Sequence, residues 1–357
     1  MTTVPALQQK RHRQVLAEVV RAYIETGEPV SSRTIVRMHA EQLSSATMRN
    51  IMADLEDEGY LYQPHTSAGR VPTASAYRFY VEQIAMQATP RVEDREWIRR
   101  ELDSATTPEG VMERASHVLA AVSRGLGIIV SPPLARTVVE HIRFLVLPDG
   151  RVLVVLVTSG GMTRDKCIRP ERTFQQGELD HIAEYLNKHY PRWTLEAICA
   201  DLKAQLKRDR ERYEKLASSA LMLCDPKLLA EDSDRVIYIG GAAQFATAPE
   251  FQDQEQLGEL LSAIEERDRL LALLSGCIET PEPVHIELGV EKMSSAGKHL
   301  ALVSAPYTRG ESGRPGERAQ GTVGILGPMR MHYERVITVV ALMSQFFSED
   351  SEKEKSS

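Results

Sequence analysis

Leu16, Val19, Val20 and Tyr23 fall at i, i+3, i+4 and i+7, a spacing that lays an apolar stripe along one side of a helix. Gly27 and Pro29 are its stop signals. Ser31 then stands where an N-cap belongs, with Val30 and Ile35 placed to close a hydrophobic staple around it. That second helix is predicted to run to about His39. After the short polar turn Ala40-Glu41-Gln42 the same grammar repeats. Ser44 caps, Leu43 and Met48 staple, and Met48, Ile51, Met52 and Leu55 form the stripe of a third helix that Gly59 ends. YLYQ (60–63) predicts a strand, HTSAGR (65–70) a small-residue loop, and Arg70-Val71 a return strand that Pro72 cuts short. A fourth helix places Tyr77, Tyr80, Val81 and Ile84 on one face. Two short helices after a longer one, followed by a hairpin, make the pattern of a winged helix-turn-helix.

Further along, Pro90 and Pro108 bracket a densely charged stretch around Trp97, which reads as a linker over 88–108 merging into a short helix. Val111–Leu126 predicts a helix. Val138–Leu147 and Arg151–Thr158 predict strands, and Pro148-Asp149-Gly150 between them signals a hairpin turn. More strands are expected at Arg235–Gly240, Val284–Leu288, Leu300–Ala305 and Thr322–Leu326. A last helix, Tyr333–Phe347, packs Val336, Val339, Val340 and Met343. The pattern predicts an α+β body behind the amino-terminal helices. Within the largely helical stretch 171–234, the charged segment LKRDRERYEKL leaves three readings open: nucleic-acid binding, a solvated helix face, or part of a dimer interface. Its cations interleave with Asp209, Glu211 and Glu214, which favours the solvated face.

A chain of 357 residues exceeds the usual size of one core, so two or three domains are expected. The longest apolar runs, Val152–Val157 and Val336–Met343, are far shorter than the about 20 residues a membrane helix needs. The amino terminus lacks the apolar stretch of a signal peptide, which predicts a cytoplasmic protein. Cys167, Cys199, Cys224 and Cys277 are widely spaced and predict reduced, mostly buried thiols rather than a metal or disulfide framework. The net charge of −7 is unevenly shared. Residues 1–80 hold nine Lys/Arg and eight Asp/Glu, a net +1, leaving −8 for the remainder. Arg33, Arg37 and Arg49 precede the acidic cluster Asp54, Glu56, Asp57 and Glu58, and Arg70 and Arg78 follow it. Such sorting suits a domain that sets a few cations against phosphates and turns its acids away.

The third helix offers Ser45, Ala46, Thr47, Arg49 and Asn50 opposite its apolar stripe. Arg grips guanine bidentately, Asn grips adenine, and an alanine methyl meets thymine, so these types suit the major groove. Ser31, Ser32, Arg33 and Ser44 lie at helix starts, where backbone N–H groups favour phosphate. A serine there also serves simply as a cap. His65, Thr66, Ser67 and Arg70 are expected at the tip of the wing, equipped for phosphates or the minor groove. Three-helix domains of this shape also mediate protein contacts, so DNA binding and a protein-interaction module both stay open on pattern alone. An enzyme is a further class, but the chain has no Walker loop, G-x-S-x-G elbow, H-E-x-x-H helix or deaminase signature. No catalytic residue, metal ligand or cofactor is predicted.

TGEPVSSRT (26–34), SSATMRNIMADLEDEGYL (44–61) and QPHTSAGRVPTASAYRFYV (63–81) closely resemble the heat-inducible transcription repressor HrcA family. GGAAQFATAPEF (from Gly240) and GTVGILGPMRMHYERVI (321–337) resemble it too, so the likeness covers nearly the whole chain and is weakest over 172–235. The loop RGESGRPGERAQG (309–321) departs from it, being longer and more charged, and SEDSEKEKSS reads as a solvated tail. The resemblance implies a winged helix-turn-helix at 1–87 and a GAF-like α+β domain at 109–170 and 235–348. It also implies a mostly helical dimerisation domain inserted at 171–234, and the composition predicts a disordered acidic tail at 349–357. It further implies a homodimer that binds an inverted-repeat operator in double-stranded DNA and represses chaperone operons. A GroEL-type chaperonin would keep that repressor active, and the protein would be cytoplasmic and nucleoid-associated. An effector-responsive repressor sensing a small molecule through the GAF-like domain is the alternative.

Overall fold

The computed structural model describes residues 10–38, 44–85, 92–158, 161–208, 214–224, 235–247, 254–275, 283–291, 295–309 and 319–353. In α1 (Lys10–Thr26) Leu16, Val19 and Val20 are fully buried and Tyr23 is half-buried, joined by Val15 and Ile24. α2 (Ser32–Met38) follows; the expected polar turn and Leu43 lie outside the described residues. α3 (Ser45–Asp57) buries the expected Met48, Ile51, Met52 and Leu55. β1 (Leu61–Tyr62) and β2 (Val71–Pro72) pair antiparallel, Leu61 opposite Pro72, as a hairpin shorter than its predicted first strand. Thr73 closes its base, its hydroxyl donating to the carbonyls of Gly59 at 2.8 Å and Tyr60 at 3.0 Å, and α4 (Ala74–Ala85) begins beside it.

Within the stretch expected as a linker merging into a short helix, the described residues form a helix over 92–102. α5 (Val92–Leu102) buries Ile98 and Leu102. α6 (Pro108–Ser123) starts on Thr107, whose hydroxyl accepts from the Gly110 N–H at 3.0 Å, with Pro108 in the first turn where its missing N–H costs nothing. The helix stops short of Leu126: Arg124 turns left-handed at φ 54°, and β3 (Leu126–Val130) begins, buried along its whole length.

After Val130 the chain leaves this layer. β4 (Val138–Val146) and β5 (Val152–Thr158) form the expected hairpin, the Gly150 N–H donating to the Leu147 carbonyl at 3.0 Å. β6 (Thr163–Ile168), α7 (Gln176–His189), β7 (Trp193–Thr194), α8 (Leu195–Arg208) and α9 (Glu214–Cys224) complete a unit with strand order β6-β5-β4-β7. Ile142, Phe144, Val154 and Leu156 of the hairpin share its core with Leu179, Ile182, Ile198 and Leu223 of the helices. The expected division at Glu171 is therefore corrected. The hairpin buries its inner face against the helices that follow it, so the interrupting unit is a sheet covered by helices and opens soon after Val130. Its neck is narrow: the Ser131 N–H donates to the Val236 carbonyl at 2.9 Å, and the Val236 N–H to the Ser131 hydroxyl at 2.8 Å.

β8 (Ile237–Gly240) then returns beside β3. α10 (Ala242–Ala246), α11 (Gln254–Glu265), α12 (Arg267–Ser275), β9 (His285–Leu288), β10 (Leu300–Arg309), β11 (Ala319–Pro328) and α13 (Tyr333–Lys353) finish the fold. The five-stranded antiparallel sheet has the order β8-β3-β11-β10-β9. Successive residues face opposite sides of it. Ile128, Val130, Leu300 and Leu302 meet Leu260 and Leu270 of α11 and α12, while Ile129, Ala301 and Val303 join the core of α6 and α13. That latter core continues unbroken into α1 to α4. α13 runs through Lys353, so the part of the expected disordered tail up to that residue is helical. Cys199 and Cys224 are buried and Cys167 is exposed, all three as free thiols, and Cys277 lies outside the described residues.

α6 rides on β3 at Gly127, where a Cβ would overlap the Ser116 carbonyl oxygen and sit 2.7 Å from the Leu119 Cβ. Gly127→Ala is expected to destabilise the protein by about 1–3 kcal/mol through overpacking. Gly258, exposed on α11 with nothing near its added Cβ, supplies the opposite case. Gly258→Ala is expected to stabilise by about 0.5–1 kcal/mol. Urea unfolding of the two variants at one protein concentration checks both signs; equal midpoints would refute the close seat at Gly127.

Candidate nucleic-acid interface

α3 is set by its own turn chemistry. Ser44 is extended (φ −69°, ψ 149°), and its hydroxyl accepts from the Thr47 N–H at 3.1 Å while lying 2.9 Å from the Thr47 hydroxyl. With Met48, Ile51, Met52 and Leu55 buried, the rotation of about 100° per residue turns Ala46, Arg49 and Asn50 to the opposite side. Those three, with Ser45 and Thr47, are all exposed, so the five predicted groove residues share one surface. α2 repeats the device. Val30 and Ile35 are buried around Ser31, whose hydroxyl accepts from the Thr34 N–H at 3.2 Å. Ser31 and Ser44 thus act as caps, each satisfied within its own turn. Arg33 is exposed beside them and Ser32 half-buried.

The acidic cluster was expected to turn away from a ligand; two of its members are struts instead. Asp54 Oδ2 lies 3.1 Å from Nε2 of the buried His12 on α1. Glu56 Oε2 lies 2.7 Å from an Arg70 guanidinium nitrogen. Two residues on, at about 100° each, these carboxylates leave α3 on its two opposite flanks. One ties the helix to α1 and the other to the hairpin.

That contact corrects the expectation for Arg70. His65, Thr66 and Ser67 are exposed at the hairpin tip, but Arg70 stands at its base with a side chain only 19% exposed. Its backbone is held as firmly, exchanging N–H···O bonds with Val30 at 2.8 Å in both directions. Only glycine fits next to that bridge, because a Cβ on Gly69 would lie 2.5 Å from the Val30 carbonyl oxygen. Gln63 braces the tip, its amide donating to the carbonyls of Thr66 at 3.0 Å and Ala68 at 2.9 Å. His12, Glu56 and Gln63 escaped the sequence reading because each acts through a partner that periodicity does not identify; only the loop span between Gln63 and Ala68 was a local hint.

The unit is also docked on the body. Tyr77 of α4 lies against Tyr333 of α13, ring centroids 6.4 Å apart. Arg21 has a raised pKa through its hydrogen bond with Tyr80, and burial raises Tyr80 despite that cation. Among the described residues no cluster of three or more His, Cys, Asp or Glu side chains forms a metal site, and no helix is long and apolar enough to cross a membrane. In a double-mutant cycle of Arg70→Met and Glu56→Gln read by chemical unfolding, the pair should couple by about 1 kcal/mol. Additive single and double variants would remove the strut.

Comparisons with known proteins bear on the whole chain. Residues 109–337 match the family described as HrcA protein C terminal domain. The chain is 34% identical over 351 residues to the heat-inducible transcription repressor HrcA of Syntrophobacter fumaroxidans, covering 96% of this chain and 98% of that one. It is 34% identical over 341 residues to the protein of the same name from Geobacter sulfurreducens, covering 95% and 97%. A crystal structure of a hypothetical protein at 2.2 Å shares the fold, with a TM-score of 0.61 at 23% identity over 97% of this chain and 99% of that one. By the family match and by these relatives, the chain belongs to the HrcA family.

Proposed function

We propose that this chain is a repressor of heat-shock transcription, a regulator rather than a catalyst, that reads DNA through a winged helix-turn-helix built from α1 to α4 and the β1–β2 hairpin. The observation that carries this reading is the exposed face of α3, where Ser45, Ala46, Thr47, Arg49 and Asn50 stand together opposite a fully buried stripe. Arg49 and Asn50 carry the bidentate groups that distinguish guanine and adenine in the major groove. Arg33 lies at the start of α2, where a phosphate is met by both side chain and backbone N–H groups. The wing contributes His65, Thr66 and Ser67 at its tip, with Arg70 holding its base.

The operator is an inverted repeat read by a homodimer in the cytoplasm, on the nucleoid. A near-neutral reading unit binds too weakly alone, so two linked half-sites are needed. The unit interrupting the five-stranded sheet is assigned to dimerisation and the sheet with α6 and α13 to a GAF-like domain. Small-molecule sensing between α6 and that sheet has little room: a Cβ on Gly240 would lie 2.6 Å from the His117 backbone nitrogen, and one on Gly127 would overlap the Ser116 carbonyl oxygen.

Maintenance by a GroEL-type chaperonin is the regulatory part of the proposal. β3 pairs with β8 and with β11, partners more than a hundred residues downstream. Such non-local pairing forms slowly. Until it does, Val336 and Val340, buried in the core on that sheet, are exposed to aggregation.

The direct test is footprinting of the purified protein on the chaperone promoters of its own organism. Arg49→Ala should lose about 1–3 kcal/mol of discrimination between that site and scrambled DNA. Intact discrimination would mean that Arg49 does not read a base. At constant temperature, occupying the chaperonin with a non-native client should derepress the operon while soluble repressor falls. Repression that holds under that load would refute chaperonin control and favour a repressor that melts with heat by itself.

A further inference from the structure

The two struts of α3 define what lies on either side of its groove-facing surface. Around the helix, at about 100° per residue, Thr47 and Asp54 mark one edge of that surface and Ser45 and Glu56 the other. The hairpin reaches the Glu56 edge through Arg70. α1 reaches the Asp54 edge through His12. A major groove about 12 Å wide is filled by one helix, so whatever flanks that helix meets the phosphate rows on the groove's two sides.

The flanks differ in charge. At the hairpin, the tip presents His65, Thr66 and Ser67, and its one arginine is engaged by Glu56. At α1, Lys10, Arg11 and Arg13 are exposed around the buried His12, and no acid precedes Glu18 in the sequence. Arg11 and Arg13 sit about 100° to either side of His12, while Lys10 projects from the far side of the helix. The geometry points to a phosphate-binding site at the start of α1, in which Arg11 and Arg13 grip the DNA backbone on the flank opposite the wing. His12 is a positioning residue that fixes this turn against α3 through Asp54. The inference rests on the groove-reading role proposed for α3. Its contacts come from guanidinium side chains, which suit phosphate oxygens at the range of a flexible arm.

The test uses the full-length protein, a duplex that it selects from a random-sequence pool, and an unrelated duplex of equal length. Arg11→Ala with Arg13→Ala should weaken both duplexes by a similar factor. The slope of log affinity against log salt should become shallower by about 0.9 for each phosphate contact removed. Lys10→Ala should leave the slope nearly unchanged. His12→Leu should reproduce part of the loss and His12→Gln, which keeps a donor for Asp54, should restore it. Thermal unfolding separates a fold defect in the His12 variants, and the exposed arginines test the site independently of it. An unchanged slope in the double variant, with Arg49→Ala still lowering discrimination, overturns the inference and leaves the groove reading intact. A loss confined to the selected duplex also overturns it, making the arginines base readers. So does an equal effect of Lys10→Ala, which reports diffuse charge instead of contact. Failure to select any duplex brings down both readings.

Discussion

The aromatic face of α4 packed against α13 is the contact on which the placement of every other amino-terminal element depends. Tyr77, Tyr80, Val81 and Ile84 are buried in one apolar core with Tyr333, Val336 and Ile337. Each such side chain contributes about 1.5–3 kcal/mol on burial. The ion pair spanning the same junction, Arg21 with Glu334 at 3.6 Å, has both side chains more than half exposed and adds about 0–1 kcal/mol. Apolar packing therefore holds the junction, and the charges orient it. The Tyr333 hydroxyl is satisfied inside this core by donating to the Met329 carbonyl at 2.8 Å. α5 adds a second fastening, with Asp94 3.7 Å from Arg335 and the Arg335 guanidinium 5.8 Å from the Trp97 ring centre. In the proposed repressor, a reading helix fastened in this way points in a direction set by the body, as a dimer reading two half-sites at fixed spacing would require.

The body tolerates a long interruption because of where the interruption occurs. β3 lies between β8 and β11, and the excursion leaves its end and returns at the start of β8, its immediate neighbour. The ends of the excursion thus meet as adjacent strands would, and the Ser131–Val236 pair continues the ladder by one step. The interrupting unit buries its own residues, so it adds no demand on the packing of the sheet it interrupts.

The amino-terminal unit was largely legible because its information is local. Ser44, Met48, Ile51 and Leu55 lie within a few residues of each other, and cap and stripe agree. The same holds for Ser31 with Ile35. Legibility failed where a residue's role is decided by something far along the chain. LGIIV of β3 follows α6 after only Arg124 and Gly125, and hydrophobic pattern alone does not separate so short an apolar run from the helix before it. TRDKCI of β6 sets three charged residues in a row on an edge strand and carries little apolar signal. α5 has sparse apolar positions among many charges, so Ile98 and Leu102 look incidental until α6 and α13 cover them. The β4–β5 hairpin was foreseen, but strand alternation cannot say which of two layers will cover it. For Arg70, the pattern placed the residue on the hairpin, and its partners Val30 and Glu56 fix it at the base instead of the tip.

Glu56 and Asp54 also bear on how a chain of net −7 approaches a polyanion. Had Glu56 been left without its arginine, the reading surface would have carried more uncompensated negative charge; Asp54 stays 59% exposed beside His12. Pairing the two with Arg70 and His12 spends carboxylates on fixing the orientation of α3, with Arg49 and Arg33 exposed at its front. The same pairing withdraws Arg70 from the wing, so the reading unit gains geometry at the expense of a cation. With the rest of the chain at −8, the DNA-binding role proposed above would set attraction along the face where α1, α2 and α3 present their arginines against the net negative charge of the remainder. Weak, directional attraction of this kind disfavours lingering on arbitrary sequence. For the dimeric repressor proposed above, it would make tight binding conditional on base contacts at both half-sites, and hence on two reading helices held rigidly by the junction between α4 and α13.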